Sequence, residues 1–191
     1  MFSQIGHLLI QTAFGVFVYA LLLRFYMQWL RAPFRNPVGQ FVSALTDWIV
    51  RPARRVVPGL FGLDLASILL AWIAEALMLV LLFWMGGRSL ASAPGIAAGM
   101  LFTLAAMELV RASLYLLIGV VIVQVIISWV NPHAPLAPVF DALTRPFYAL
   151  FRRYVPTIGN VDLSPLFVLL VAQIALILFE NVVARLVQAP S

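Results

Sequence analysis

The chain has 191 residues, 64% hydrophobic and only 10% charged, with no cysteine and a formal charge of +5 in which every one of the 12 basic residues is arginine. An average soluble domain carries about 25% charged residues, so a chain with a mean hydropathy of +1.05 reads as an integral membrane protein. Without cysteine there are no disulfides, no thiolate metal sites and no thiol catalysis.

A helical span needs about 20 largely apolar residues, and taken in chain order the first falls at about 5–30. Its first arginine, Arg24, comes after the apolar run, the reverse of a cleaved signal, so the span is expected to be retained. Residues 37–57 are amphipathic. Val38, Phe41, Val42, Leu45, Ile49 and Val56 recur at helical intervals, opposite Gln40, Ser43, Asp47, Arg51 and Arg54. Such a helix can lie in the headgroup plane, each arginine adding about 1 kcal/mol near an anionic surface. The second span is expected at 65–85, interrupted only by Glu75.

Between 87 and 110 the apolar stretch Gly95–Met107 is too short to cross alone. It is expected to form a short interfacial or re-entrant helix, with a fifth crossing as the alternative. Glu108 and Arg111, one turn apart at the mouth of the next span, suit an i, i+3 ion pair. A third span follows at about 111–130, a second amphipathic segment at 136–155, and a fourth span at about 163–187. The predicted fold is therefore all-α, with about four transmembrane helices in two parallel span–amphipathic segment–span repeats, 1–86 and 111–191, joined by the segment 87–110.

The repetition is visible in the residues. LTDWIVRPARRVVPGLFGLD, from Leu45 to Asp64, is answered by LTRPFYALFRRYVPTIGNVD, from Leu143 to Asp162, with Leu-Thr, Arg-Arg, Pro and Asp at matched spacing. Asp64 and Asp162 each open a span and are placed as N-caps, where a carboxylate accepts backbone N–H bonds and complements the helix dipole. Each repeat also puts one polar side chain in each of its two spans, Arg24 and Glu75, then Gln124 and Gln173. Such residues are costly in lipid and face protein or water, so the expected pairs are Arg24 with Glu75 and Gln124 with Gln173. Arg51, Arg54, Arg55, Arg145, Arg152 and Arg153 are candidates for contact with anionic headgroups or a partner.

Arginine placement orients the chain. Arg31, Arg35, Arg51, Arg54, Arg55, Arg145, Arg152 and Arg153 flank one side, against Arg88, Arg185 and marginally Arg111, which places the repeated segments in the cytoplasm and both termini outside.

The pattern Trp, Pro, Leu-Thr, Arg-Arg, Pro, Gly and Asp-x-(Ala/Ser)-(Ser/Pro) leading into a hydrophobic helix resembles the YggT repeat of bacterial YggT/YlmG membrane proteins, over about Leu21–Leu82 and Val121–Leu186. The resemblance implies an inner-membrane protein. Relatives are linked to osmotic or potassium-related stress tolerance, to cell division and nucleoid organisation, and in chloroplasts to haem attachment to cytochrome b6. The copies differ locally, with Asp-Leu-Ala-Ser in the first and Asp-Leu-Ser-Pro in the second.

No catalytic or metal constellation accompanies the repeats. His7 and His133 fall at opposite ends of the predicted topology, and there is no phosphate loop or Ser-His-Asp grouping. The expected function is a non-enzymatic organising or assembly factor without cofactor, whose partners are membrane lipids and another membrane protein or a second copy, with no nucleic acid. The alternative is a small homo-oligomeric channel or transporter lined by Arg24, Glu75, Gln124 and Gln173.

Overall fold

The computed structural model describes residues 2–59, 62–86, 94–153 and 162–188. These form six helices: α1 (Phe2–Trp29), α2 (Pro37–Val56), α3 (Leu65–Met85), α4 (Pro94–Val130), α5 (Ala137–Arg152) and α6 (Ser164–Gln188). No β-strand occurs among the described residues. Four stretches, Gln4–Trp29, Leu65–Met85, Gly99–Val130 and Ser164–Arg185, are long and apolar enough to cross a bilayer. The start of the inter-repeat segment (87–93), the end of the second amphipathic segment and the Pro-Gly turn after it (154–161) lie outside the described residues.

The segment expected to form a short separate helix does not. Pro94 to Val130 is one 37-residue helix, ~55 Å long at 1.5 Å per residue. From Met100 to Arg111 the residues are mostly good helix formers, with no proline or glycine. Nothing local ends the helix there, and the charges Glu108 and Arg111 do not break it. Its length exceeds a hydrocarbon core of about 30 Å, so a spanning α4 must tilt or project beyond the core.

The chain divides into two compact units: 1–29 with 41–110, and 30–40 with 111–191. In the first, α1 and α3 pack together. They run antiparallel, since Gly6 near the start of α1 meets the Met85 side chain at the end of α3. Lipid tails are as apolar as leucine, so association relies on close packing. The buried face of α3 accordingly uses Ala66, Ser67, Ala71, Ala74 and Ala76, and α1 supplies Val18, Leu21, Leu22 and Met27. The first part of α4 closes onto α3 through Leu101 and Ala105 against Ala76 and Trp72. Trp72 Nε1 donates to the Phe102 carbonyl at 3.0 Å, giving the indole N–H the partner it needs in an apolar setting. In the second unit Val121 of α4, Tyr148 of α5 and Val168 of α6 form the core.

The start of α2 is set by Asn36-Pro37-x-Gly39. The Asn36 side chain accepts the Gly39 N–H at 2.9 Å and donates to the Pro33 carbonyl. It is an N-cap with proline at N1, where a missing N–H costs nothing. Glycine is required at 39 because a Cβ there would lie 2.2 Å from the Phe34 carbonyl oxygen.

Candidate functional site

Each unit holds its amphipathic helix against its spans through a polar seam. In the first unit the inward side of α2 is Val42, Thr46 and Val50, all buried, at intervals of four. The larger apolar residues Phe41, Trp48 and Val56 point outward, Trp48 being 68% exposed. The seam thus runs along the border between the helix's two faces. Of the apolar stripe Val42 is buried and Val38, Leu45 and Ile49 are half-buried, while Phe41 and Val56 stay exposed, because the inward edge is where Arg24 finds its acceptors.

Arg24 is 6% exposed. Its Nη1 donates to Thr46 Oγ1 at 2.7 Å and to Asp47 Oδ1 at 2.6 Å, and its Nε lies 3.5 Å from Asp64 Oδ2. Asp47 Oδ2 accepts from Arg51 at 2.6 Å. Asp64 accepts from Arg54 Nε at 3.1 Å and Nη2 at 2.5 Å, and Arg54 Nη2 also donates to Gln28 Oε1 at 2.8 Å. The result is a chain of alternating charge, Arg51–Asp47–Arg24–Asp64–Arg54, with three cations and two anions. Each interior member touches opposite charge on both sides, which is how buried charge is tolerated.

The expected partner of Arg24 is therefore corrected. Its hydrogen bonds go to Thr46 and Asp47 of α2, not to Glu75, and the reason is depth. Arg24 sits five residues before the end of α1, about 7 Å, whereas Glu75 lies 11 residues beyond Asp64, about 16 Å into α3. An arginine reaching toward the nearer interface meets the amphipathic helix first. Glu75 is itself buried.

Asp64 is 1% exposed and caps α3, its Oδ1 accepting from the Ser67 N–H at 3.4 Å and its Oδ2 from Ser67 Oγ at 2.6 Å. Burial pushes its carboxyl up, but the bonds from Arg54 and Ser67 outweigh this and hold it below the usual carboxylate range. Asp47 is likewise held low, with burial opposed by Arg24 and Arg51. The Asp64 bond in turn raises the Arg54 guanidinium.

The second unit repeats the frame with different charges. Arg152 donates from Nε to Asp162 Oδ2 at 2.8 Å, and the Ser164 N–H donates to Asp162 Oδ1 at 2.9 Å. Burial raises the Asp162 carboxyl, and Ser164 and Arg152 bring it below its ordinary value. Thr144 donates to the Phe140 carbonyl at 2.8 Å, as Thr46 does to Val42 at 2.6 Å. Here too the expected pair is corrected: Gln124 donates from Nε2 to Asp141 of α5, and its Oε1 has no hydrogen-bond partner. Gln173 is exposed on α6. Arg145 makes no ion pair among the described residues, and Arg55 and Arg153 are exposed.

Asp141 lies on the polar face of the second amphipathic segment and Thr46 belongs to the repeated Leu-Thr pair, but nothing local in the sequence shows that they meet Gln124 and Arg24. Asn36 was readable as Asn-Pro at a helix start. Among the described residues no three His, Asp or Glu side chains gather as a metal site.

Four long apolar helices, with two amphipathic helices bonded to them through arginine and aspartate, define a multi-pass α-helical membrane protein built on a duplicated unit. The CCB3/YggT family model matches the chain twice, over residues 3–85 and 103–183, and the chain belongs to that family. Relatives include an "Uncharacterized protein in proC 3'region" of Vibrio alginolyticus, 34% identical over 92% of this chain and 93% of its own length. An uncharacterised protein of Pseudomonas aeruginosa is 31% identical over 95% and 91%. "Uncharacterized protein YggT" of Escherichia coli K12 is 34% identical over 85% and 82%. No solved structure matches.

Proposed function

We propose that the protein is a non-enzymatic organising or assembly factor of the bacterial inner membrane, whose paired amphipathic helices contact anionic headgroups and a partner membrane protein. One observation carries the reading: α2 turns Phe41, Trp48 and Val56 outward while its polar edge is fixed to the spans by Arg24–Asp47 and Arg54–Asp64. An apolar edge of Phe41, Trp48 and Val56 left outside, beside the exposed Arg51 and Arg55, suits a helix half-sunk in the interface. Helix α5 has the same layout, with Phe147 and Leu150 outward and Arg152 tied to Asp162. The channel alternative loses support because Arg24, its central cation, is already neutralised by Asp47.

The test is crosslinking in native membranes, comparing wild type with Arg55→Gln/Arg153→Gln, which leaves every ion pair of the two seams in place. A defined membrane-protein partner recovered with wild type and lost with the variant supports the reading. Self-crosslinks alone, unchanged by the substitutions, overturn it.

A further inference from the structure

The two halves of the duplication differ in what covers their second span. In the first unit the start of α4 packs on α3, with Leu101 and Ala105 against Trp72, Ala76 and Leu79. At the 98-residue offset of the repeats these three positions become Leu170, Ile174 and Ile177 of α6, and all three are exposed. The face that takes a helix in one copy of the unit is bare in the other.

Lipid tails would suit a purely apolar face, but this one carries an amide. Gln173 is exposed on α6 and makes no hydrogen bond among the described residues. Its counterpart in the first unit, Glu75, is buried. Gln173 comes nine residues after Ser164, about 14 Å along the span at 1.5 Å per residue and so near the middle of a hydrocarbon core about 30 Å thick. A polar side chain at that depth is costly in hydrocarbon and faces protein or water.

The residues around the amide fit a second helix. Leu166, Leu170, Gln173 and Ile177 recur at steps of four, three and four, the period of a left-handed helix pair, and all four are exposed. Val168, Ala172 and Leu176 form a separate row at steps of four, buried within the chain.

Symmetry selects the partner. Two copies inserted in one membrane share one topology, so a two-fold axis along the membrane normal brings each residue of α6 to the depth of its own symmetry mate. A glutamine amide has both N–H donors and a carbonyl acceptor, so two of them across the axis can exchange reciprocal N–H···O bonds, which two carboxylates or two guanidinium groups cannot. Any other partner would need a polar group of its own at this depth. One polar residue in an apolar seam also fixes the register of the pair.

We infer that the protein forms a parallel homodimer through α6, with Leu166, Leu170 and Ile177 packed across the axis and the Gln173 amides hydrogen-bonded between them. The inference goes beyond the headgroup and partner contact proposed above and does not rest on it, since that reading uses α2 and α5.

The test uses the full chain in vesicles of phosphatidylethanolamine and phosphatidylglycerol, with single cysteines introduced into the cysteine-free sequence and oxidised by copper phenanthroline. Leu170→Cys and Ile177→Cys should give disulfide-linked dimers. Val171→Cys and Val182→Cys, exposed on α6 but off the seam, should not. Crosslinking at all four positions alike is random collision and overturns the inference, as does crosslinking at none. Affinity is read by energy transfer between donor-labelled and acceptor-labelled copies as added lipid dilutes the protein. Gln173→Leu keeps an apolar seam and removes the amide, and should weaken the dimer about tenfold; Gln173→Asn should restore most of the loss. A Gln173→Leu variant that dimerises as tightly as wild type overturns the inference. Arg55→Gln/Arg153→Gln should leave energy transfer unchanged, so loss of the dimer without loss of the partner contact, or the reverse, shows which of the two readings has failed.

Discussion

Asp64 and Asp162 occupy matched positions but experience different surroundings. Asp64 is sealed between Arg54, Arg24 and Ser67, while the Asp162 side chain is 30% exposed and pairs with an Arg152 that is 59% exposed. An exposed pair is worth up to about 1 kcal/mol, whereas unpairing a buried one leaves charge stranded. Asp64→Asn should therefore lower the SDS-unfolding midpoint of the protein in dodecyl maltoside by the equivalent of about 1–3 kcal/mol. Asp162→Asn should cost less than about 1 kcal/mol. Equal effects would mean that the ion chain does not hold the first unit together. The same groups set the pH response. Asp47 and Asp64 have folded pKa values depressed below 3.8, so their contribution is fully present above that pH and is lost as pH falls through the lower folded values. Tyr148 runs the other way: burial pushes its phenol from 10.0 to about 12, so its contribution is intact below pH 10 and lost as pH rises toward 12. The unfolding midpoint should be flat between these limits and fall on both sides. A decline beginning near neutrality would contradict this assignment.

Elements were legible where their signals are local. Apolar length marked α1, α3 and α6, the periodicity of Leu45, Ile49 and Leu143 marked α2 and α5, and an aspartate at the head of an apolar run marked the caps at Asp64 and Asp162. Partner choice was not legible. That Arg24 needs an acceptor follows from its place in a span, but that the acceptor is Asp47 follows only from depth and from which edge of α2 turns inward. The continuity of α4 was hidden for a related reason. A length rule for spans treats 37 residues as two pieces, although no residue between Met100 and Arg111 stops a helix. Gly39 joins local and distant signals. Its place after Asn36-Pro37 is a helix-start pattern, yet the need for glycine comes from the Phe34 carbonyl folding back over it. Gly39→Ala forces backbone against backbone and should destabilise the protein by about 1–3 kcal/mol. Asn36→Ala removes only the cap and should cost about 1 kcal/mol. Both are readable as shifts of the unfolding midpoint, and a neutral Gly39→Ala would mean that the Phe34 turn moves freely.

For the whole molecule, the continuity of α4 changes the charge arithmetic that orients the chain. Arg111 lies inside the stretch Gly99–Val130 and not in a loop, so it leaves the far-side count. Arg88 and Arg185 then oppose the eight arginines flanking the repeated segments, a stronger bias than with Arg111 included. If all four apolar stretches cross, this bias predicts that α2 and α5 both face the cytoplasm and that the start of α1 faces outward. The lack of cysteine makes this directly measurable, because a single introduced thiol has no native background. In intact inner-membrane vesicles of right-side-out orientation, an impermeant maleimide should label His7→Cys and leave Gln40→Cys and Pro135→Cys unreacted until the membrane is permeabilised. The opposite labelling would invert the topology. Labelling of Gln40→Cys and Pro135→Cys from different sides would show that α4 fails to cross with its neighbours.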